Sequence, residues 1–383
     1  MTETPANAAG ALPNPALSYD QSGVQYELID PLKVAAQRAA AATAVHLKTH
    51  GFGEITESRG ESAYVVDVGP FCIASIVECL GTKALVADEV MALDGAQRSV
   101  AAYAGIAQDT IAMAVNDLIT VGATPLVVQA YWAAGGSEWF ADAERGRALV
   151  EGWKAACDAC QVAWGGGETP ALAGIVEAGR IDLAASCTGL VNPKERLSLG
   201  ERLAPGDSIV LLGSSGIHAN GVSLARKLVE RLPQGWLTEI EPGLRYGDAL
   251  LAPTALYAPV TEALWKAGVR VHYAANITGH GWRKLLRHPS VFTYRMHAVP
   301  PVPRVLAFIQ QQAGLDDAAA YGTFNMGAGF ALFVSAADAV RTVEVARACG
   351  IDAWDAGRVE AGPKQLHIEP LDIRFDGDSL KLR

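Results

Sequence analysis

The most chemically loaded stretch of this sequence is QDTIAMAVNDLITVGATP, residues 108–125. Ile111, Val115, Leu118 and Ile119 repeat at helical spacing. Asp109 and Asn116 are seven residues apart and project from nearly the same side, with Asp117 beside Asn116. Polar groups on an otherwise apolar helix must be paired or given to a ligand, because a buried, unpaired carboxylate is too costly. Two uses fit the spacing: metal or ligand binding, or caps and solvated positions. The helix is expected to stop at Val121-Gly122-Ala123-Thr124-Pro125, where glycine permits a left-handed turn and proline cannot continue.

Four glycine-containing loops add to this helix: residues 80–83, 165–169, 213–221 and 278–281. Glycine lets backbone N–H groups approach an anion, and a following helix N-terminus favours negative charge. Each loop alone is also an ordinary turn. The four together, with an acidic helix, point to a phosphorylated ligand and a metal. None fits GxxxxGK[ST] or GxGxxG, so neither a P-loop nor a dinucleotide fold is supported. Lys83 ends the first loop and suits phosphate neutralisation, with a surface lysine as the plainer reading. Glu78 and Glu168 are carboxylates of the kind Mg²⁺ uses together with phosphates. His218, in SSGIHANG with Asn220, suits a ligand-facing loop, and equally a packing histidine. Ser214 and Ser215 lack the GxSxG elbow of a serine hydrolase.

These residues need a scaffold. Residues 31–50 read as an Ala-rich helix, and 62–68 and 71–77 as strands. Residues 98–120 read as the helix described above and 126–133 as a strand. A helix at 141–160, a short strand at 161–164 and a strand at 181–190 complete a first half of β-β-α-β-α-β type. Residues 191–206 form a boundary. The second half restarts with a strand at 208–212, a helix at 222–231 and a helix at 257–267. It continues with a strand at 269–275, a helix at 303–312, a strand at 330–334, a helix at 336–350 and a closing strand. The expected organisation is a flexible tail (1–17), an N-terminal domain (18–195) and a C-terminal domain (196–383).

The 383 residues are enough for two domains, and 50% apolar with 19% charged composition affords a large core. A net charge of −10 disfavours nucleic acid, since phosphate-backbone binding needs a basic face. No apolar run approaches the ~20 residues of a membrane span. No basic region followed by an apolar run opens the chain, so a reducing cytoplasm is expected for the six cysteines. Cys157-Asp-Ala-Cys160 has CxxC spacing but sits in a helical pattern without a second pair, so helix packing is expected. His46 and His50 share a helix face with no further metal ligand.

The ordered set of motifs resembles aminoimidazole ribonucleotide synthetase, the phosphoribosylformylglycinamidine cyclo-ligase family. The set runs Gly81-Thr82-Lys83, Asn116-Asp117 with Gly122-Ala123-x-Pro125, and Gly166-Gly167-Glu168-Thr169. It continues through Ser214-Ser215-Gly216-x-His218-x-Asn220-Gly221 and Leu251-x-Pro253-Thr254-x-x-Tyr257. It ends with Ile277-Thr278-Gly279 and Thr323-Phe324-Asn325-Met326-Gly327. The resemblance spans residues 18–360. Its helix motif is shared with thiamine-monophosphate kinase, selenophosphate synthetase and the formylglycinamidine amidotransferase.

The resemblance implies an α+β fold of two domains, an N-terminal mixed-sheet domain and a C-terminal α/β domain. It implies a homodimer with ATP near the interface, Mg²⁺, and a phosphorylated ribonucleotide substrate. ATP would phosphorylate the formyl amide oxygen of formylglycinamidine ribonucleotide, and ring closure would follow. Carried onto this sequence, Asp109, Asp117 and Glu78 would hold Mg²⁺. Lys83, with Gly81 and Thr82, would meet ATP phosphates, beside Asn116 and Asn325. Gly166, Gly167, Glu168, His218 and Asn220 would line the substrate cleft, and Thr278 and Gly279 would bind phosphate through backbone amides. His218, Asp117 and Lys83 would be the catalytic residues.

The sequence departs from the family pattern in five places. Glu78-Cys79-Leu80 replaces Asp-Gly-Val, Ala130 replaces an aspartate, and Pro170-Ala171-Leu172 replaces Ala-Glu-Met. Gly279-His280-Gly281 replaces a triple glycine, and Gly322 replaces an arginine. These keep two alternatives in view: an ATP-dependent relative acting on another amide or amidine, and a non-catalytic nucleotide-binding paralogue.

Overall fold

The computed structural model describes residues 26–94 and 97–380. The tail expected at 1–17 lies outside the described residues. In the N-terminal unit the elements are α1 (Tyr26–Thr43), β1 (Gly53–Glu54), β2 (Tyr64–Asp67), β3 (Cys72–Cys79), α2 (Lys83–Asp94) and α3 (Gln97–Leu118). They continue with β4 (Thr124–Ala134), α4 (Ala143–Cys160), β5 (Ala163–Glu168) and β6 (Ile181–Val191). The strands form one sheet in the order β1-β2-β3-β6-β4-β5, antiparallel except for β4–β5. Helix α3 carries the core on one face of this sheet, with Ile111, Ala114, Val115 and Leu118 fully buried. On β3 and β4, Val77 is 69% exposed and Leu126 50% exposed.

The C-terminal unit contains β7 (Ser208–Gly213), α5 (Val222–Leu228), β8 (Glu239–Glu241), β9 (Leu244–Arg245), α6 (Tyr246–Leu250), α7 (Ala258–Lys266) and β10 (Val271–Asn276). It continues with β11 (Phe292–Met296), α8 (Arg304–Ala313), α9 (Asp317–Tyr321), β12 (Ala328–Val334), α10 (Ala339–Ala348), β13 (Ala353–Ala361), β14 (Gln365–Ile368) and β15 (Ile373–Asp376). Its sheet runs β10-β12-β7-β13-β11-β14-β15, antiparallel apart from β11–β14. β12 and β7 are neighbouring inner strands of this sheet; every residue of β12 is buried. Among the described residues no helix is long and apolar enough to cross a membrane.

Two expectations need correction. Residues 80–83 are not only a polar turn: Lys83 opens α2, whose KALVADEV run is buried on several sides and so lacks the one-sided period that announces a helix. Residues 165–168 are not an anion-cradling loop but the end of edge strand β5, paired with β4. Gly166 sits at φ +121° where the register shifts between Val128 and Ala130. A Cβ on Gly167 would collide with the Ala130 carbonyl, so close strand approach accounts for that glycine.

Candidate functional site

Helix α3 does two jobs on two faces. On the first, its polar residues fasten the segment between α6 and α7 of the C-terminal unit. Lys83 Nζ lies 2.9 Å from Asp109 Oδ1 and donates to the Ala252 carbonyl at 2.8 Å. Both charged side chains are fully buried. Asp109 also accepts from the Thr254 backbone N–H at 2.7 Å and from the Thr254 hydroxyl. Gln108 Nε2 donates to the Thr254 carbonyl at 2.8 Å. Two turns on, Asn116 donates to the Ala255 carbonyl (2.8 Å) and accepts from the Tyr257 N–H (3.1 Å). Burial pushes the Lys83 ammonium down and the Asp109 carboxyl up, and their contact opposes both shifts. The Leu251–Tyr257 motif is therefore a strap read by Lys83, Asp109 and Asn116.

The loop after β7 is built in the same way. His218 sits at φ +61°, buried, and its Nε2 accepts from the Ser215 N–H at 3.2 Å. Burial, with the Lys83 charge, pushes its pKa down to about 3, so the ring is neutral. Asn325 accepts from the Ser214 hydroxyl (2.8 Å) and the Gly327 N–H (3.0 Å), and donates to the Gly216 carbonyl (2.9 Å). Thr82 and Ser223 meet hydroxyl to hydroxyl at 3.2 Å, tying the Gly81 turn to α5. These residues hold loops in place.

On its second face, α3 lends Asp117 to a cavity of 380 Å³ between the two units. Glu78, at the end of β3, lines the same cavity and hydrogen-bonds Asp117. Asn276, at the end of β10, donates to Asp117 Oδ1 at 2.7 Å. Burial, then the Asp117 carboxylate, pushes Glu78 up to about 7. Two carboxyl groups in contact, with the charges of Lys284 and Arg287 reaching Glu78 from across the cavity and not by direct pairing, favour added positive charge between them. They fit Mg²⁺, which takes one or two carboxylates and completes its shell with phosphate oxygens and water. Asp109 lies outside that lining: its Oδ1 is engaged by Lys83 and Thr254, while its buried Oδ2, 2.9 Å from the Lys83 ammonium, has no hydrogen-bond partner among the described residues. Among the described residues no three His, Cys, Asp or Glu side chains assemble in a way that could hold a metal.

The opposite wall comes from residues 278–287. Thr278, Gly279, His280 and Lys284 line the cavity, the last on a 3₁₀ turn at Gly281–Leu286. His280 takes φ +71°. Burial, then the nearby cations with Lys284 foremost, push its pKa down to about 3, so it adds no charge. Lys284 is pushed down to about 8 by burial and by Arg287, against the pull of Asp117 and Glu78. Arg287 is held elsewhere: it donates to the Gly60 carbonyl (3.0 Å) and the Ser62 hydroxyl (2.6 Å), and lies 3.6 Å from Glu61.

The structure thus brings Glu78, Asp117, Asn220, Thr278 and Gly279 to one cavity. It places Lys83, Asp109, Asn116, His218 and Asn325 in the strap and loop network. Gly166, Gly167 and Glu168 stand exposed on β5, outside the lining of that cavity. Lys33, Asn276, Lys284 and Arg287 were not singled out by sequence. The basic run Arg283-Lys284 straight after the Thr278–Gly281 loop was the available signal. At Gly322, where the family pattern has arginine, the Arg283 guanidinium donates to the Gly322 carbonyl at 2.7 Å, so a cation still stands there.

Residues 60–191 match the family "AIR synthase related protein, N-terminal domain", and 204–368 its C-terminal counterpart. A phosphoribosylformylglycinamidine cyclo-ligase of Methanothermobacter thermautotrophicus is 32% identical, over 96% of this chain and 100% of its own. One from Picosynechococcus is 36% identical, over 67% of this chain and 76% of its own. Among solved structures, a HypE–HypF complex superposes with a TM-score of 0.55 at 16% identity, covering 82% of this chain and 92% of that one. PurL of T. maritima complexed with FGAR superposes at 0.54 and 15% identity, covering 84% of this chain but only 48% of that one, so this chain spans about half of it. At these identities the superpositions establish the fold.

Proposed function

The chain belongs to the AIR synthase related family, and from that membership we propose that it is an ATP-dependent cyclo-ligase closing formylglycinamidine ribonucleotide to aminoimidazole ribonucleotide, a step of purine biosynthesis. The observation that carries this reading is the match to a cyclo-ligase along that relative's whole length. The cavity between the units supports it, because it joins a carboxylate pair to a backbone loop and a lysine, the equipment of phosphoryl transfer.

An amide oxygen leaves poorly and a phosphate leaves well. In the reaction the γ-phosphoryl group moves from ATP to the formyl oxygen and ADP departs. The amidine nitrogen then attacks the formyl carbon, the C–O bond breaks, and orthophosphate and a proton leave. Glu78 and Asp117 would hold Mg²⁺, with Asn276 orienting Asp117. Held there, Mg²⁺ would supply charge neutralisation for phosphoryl transfer. Thr278 and Gly279 offer backbone amides to a phosphate, and Asn220 lines the substrate side. Lys83, Asp109, Asn116, His218 and Asn325 act as positioning residues. In this reading the enzyme is a cytoplasmic homodimer, its partner covering the exposed Val77 and Leu126 of the N-terminal sheet.

A second reading is favoured by Glu78 and His280, two departures from the family pattern that both line the cavity. In it the same chemistry acts on another amide or amidine. One experiment separates the two: turnover with formylglycinamidine ribonucleotide, ATP and Mg²⁺, following imidazole product and ADP together. Equal amounts of both support ring closure. ADP without imidazole supports the second reading, and tight nucleotide binding without turnover leaves a non-catalytic paralogue.

A further inference from the structure

Among the charged groups around the cavity, Lys284 is set apart by having nothing to hold. Of the other cations lining the cavity, Lys33 has a partner and Arg287 is tied to residues 60–62. Among the described residues no hydrogen bond and no ion pair engages the Lys284 ammonium, although the side chain is half-buried and lines the cavity. A half-buried ammonium gives up hydration that no neighbour replaces. Its turn is rigid: Trp282, Leu285 and Leu286 on either side are buried, and Trp282 Nε1 donates to the Asn325 carbonyl at 2.7 Å. A lysine fixed at its base and unpaired at its tip is prepared to meet an anion. The charges of Asp117 and Glu78 act on it across the cavity. With a divalent cation on those carboxylates, the cavity would have positive charge on both walls and room for a phosphoryl group between them.

Resting on the cyclo-ligase reading, we propose that the Lys284 ammonium is a catalytic residue that binds the phosphoryl group in transfer, from the wall opposite Glu78 and Asp117. It donates hydrogen bonds to the phosphoryl oxygens while the bond to ADP breaks and the bond to the formyl oxygen forms. It does so again while orthophosphate leaves, and its own proton is not transferred. The same ammonium could bind a second phosphate, the one on the substrate's ribose, and the two sources give different kinetics. The transferring phosphoryl is favoured because the carboxylate pair shares its cavity.

The test uses the full chain with K284M and K284R. Loss of a charge that acts on the transition state lowers kcat by ~10²–10³-fold and leaves KM for the ribonucleotide within about threefold. K284R, keeping a cation, recovers part of the lost kcat, which a merely structural lysine would not require. Inhibition by added orthophosphate weakens by about tenfold or more in K284M. The proposal is overturned if K284M raises KM for the ribonucleotide with kcat kept, since the ribose phosphate is then the ligand. Unchanged kinetics also overturn it and return Lys284 to a solvated side chain. If the wild-type chain closes no ring, the functional reading fails on its own. Calorimetric titration of inorganic phosphate into wild type and K284M still decides Lys284: weaker binding in the variant supports the phosphoryl site, and equal binding or none in both removes it.

Discussion

Lys83→Met separates a structural lysine from an ATP-binding one. The ammonium it removes is fully buried, 2.9 Å from Asp109 and 2.8 Å from the Ala252 carbonyl. Its loss leaves the Asp109 carboxylate buried with only the Thr254 donors, and one carbonyl of the strap unpaired. Breaking a buried ion pair by removing one partner costs ~3–5 kcal/mol. Solvent screening does not reduce that figure, since neither side chain is exposed. The double variant Lys83→Met/Asp109→Leu removes the isolated charge and recovers part of the loss. It does not recover all of it, because the Thr254 N–H and hydroxyl then lack their acceptor, at ~1–3 kcal/mol. Urea denaturation of wild type, both singles and the double closes the cycle, with a coupling energy of ~2 kcal/mol or more expected. KM for ATP, measured well below the unfolding midpoint, stays within about threefold of wild type. The reasoning is refuted if Lys83→Met keeps wild-type stability and raises KM for ATP by about tenfold or more, for the ammonium would then be a ligand contact.

Other expectations follow from the cavity and the core. Asp117→Ala abolishes ATP turnover while circular dichroism and the unfolding midpoint stay near wild type; near-normal turnover would remove Asp117 from the metal site. Glu78 binds its proton up to about pH 7 in the folded chain, against an ordinary carboxyl value of 4.5. The folded state therefore holds a proton that the unfolded state releases in that window. The contribution of Glu78 to stability is complete below the lower value and is lost as pH rises to about 7, by at most ~3.5 kcal/mol at ~1.4 kcal/mol per unit. Glu78→Gln flattens that slope in metal-free denaturation, and an unchanged slope would contradict the carboxyl pairing. Cys157, Cys160 and Cys187 are buried and their thiols are pushed up to about 11, 12 and 12. A thiol reagent should spare those three in the native protein; early labelling of the CxxC pair would revive a redox role.

What could be read before folding depended on how local each signal was. Helix α3 announced itself because its apolar period and its Gly122 stop lie within one stretch. Asp117 could be chosen as a ligand from the motif around it. The surroundings of Asp109 could not be read from sequence, because Thr254, which donates to its Oδ1 beside Lys83, is brought in by the strap far along the chain. Gly165–Gly167 looked like a phosphate loop because glycine serves a loop and a close strand pairing equally well; only the β4 ladder distinguishes them. Helix α2 escaped notice because burial on several sides erases amphipathic contrast. The cationic wall escaped notice because Lys33 and residues 278–287 meet only when the two units close on each other.

In the proposed reaction this cavity transfers a phosphoryl group to a formyl oxygen before ring closure. Formylglycinamidine ribonucleotide labelled with ¹⁸O in the formyl group tests it directly, through the isotopic composition of the phosphate released in a single turnover. One ¹⁸O atom is expected in each orthophosphate formed per imidazole. Unlabelled orthophosphate, with the label in water or still in the nucleotide, would contradict it.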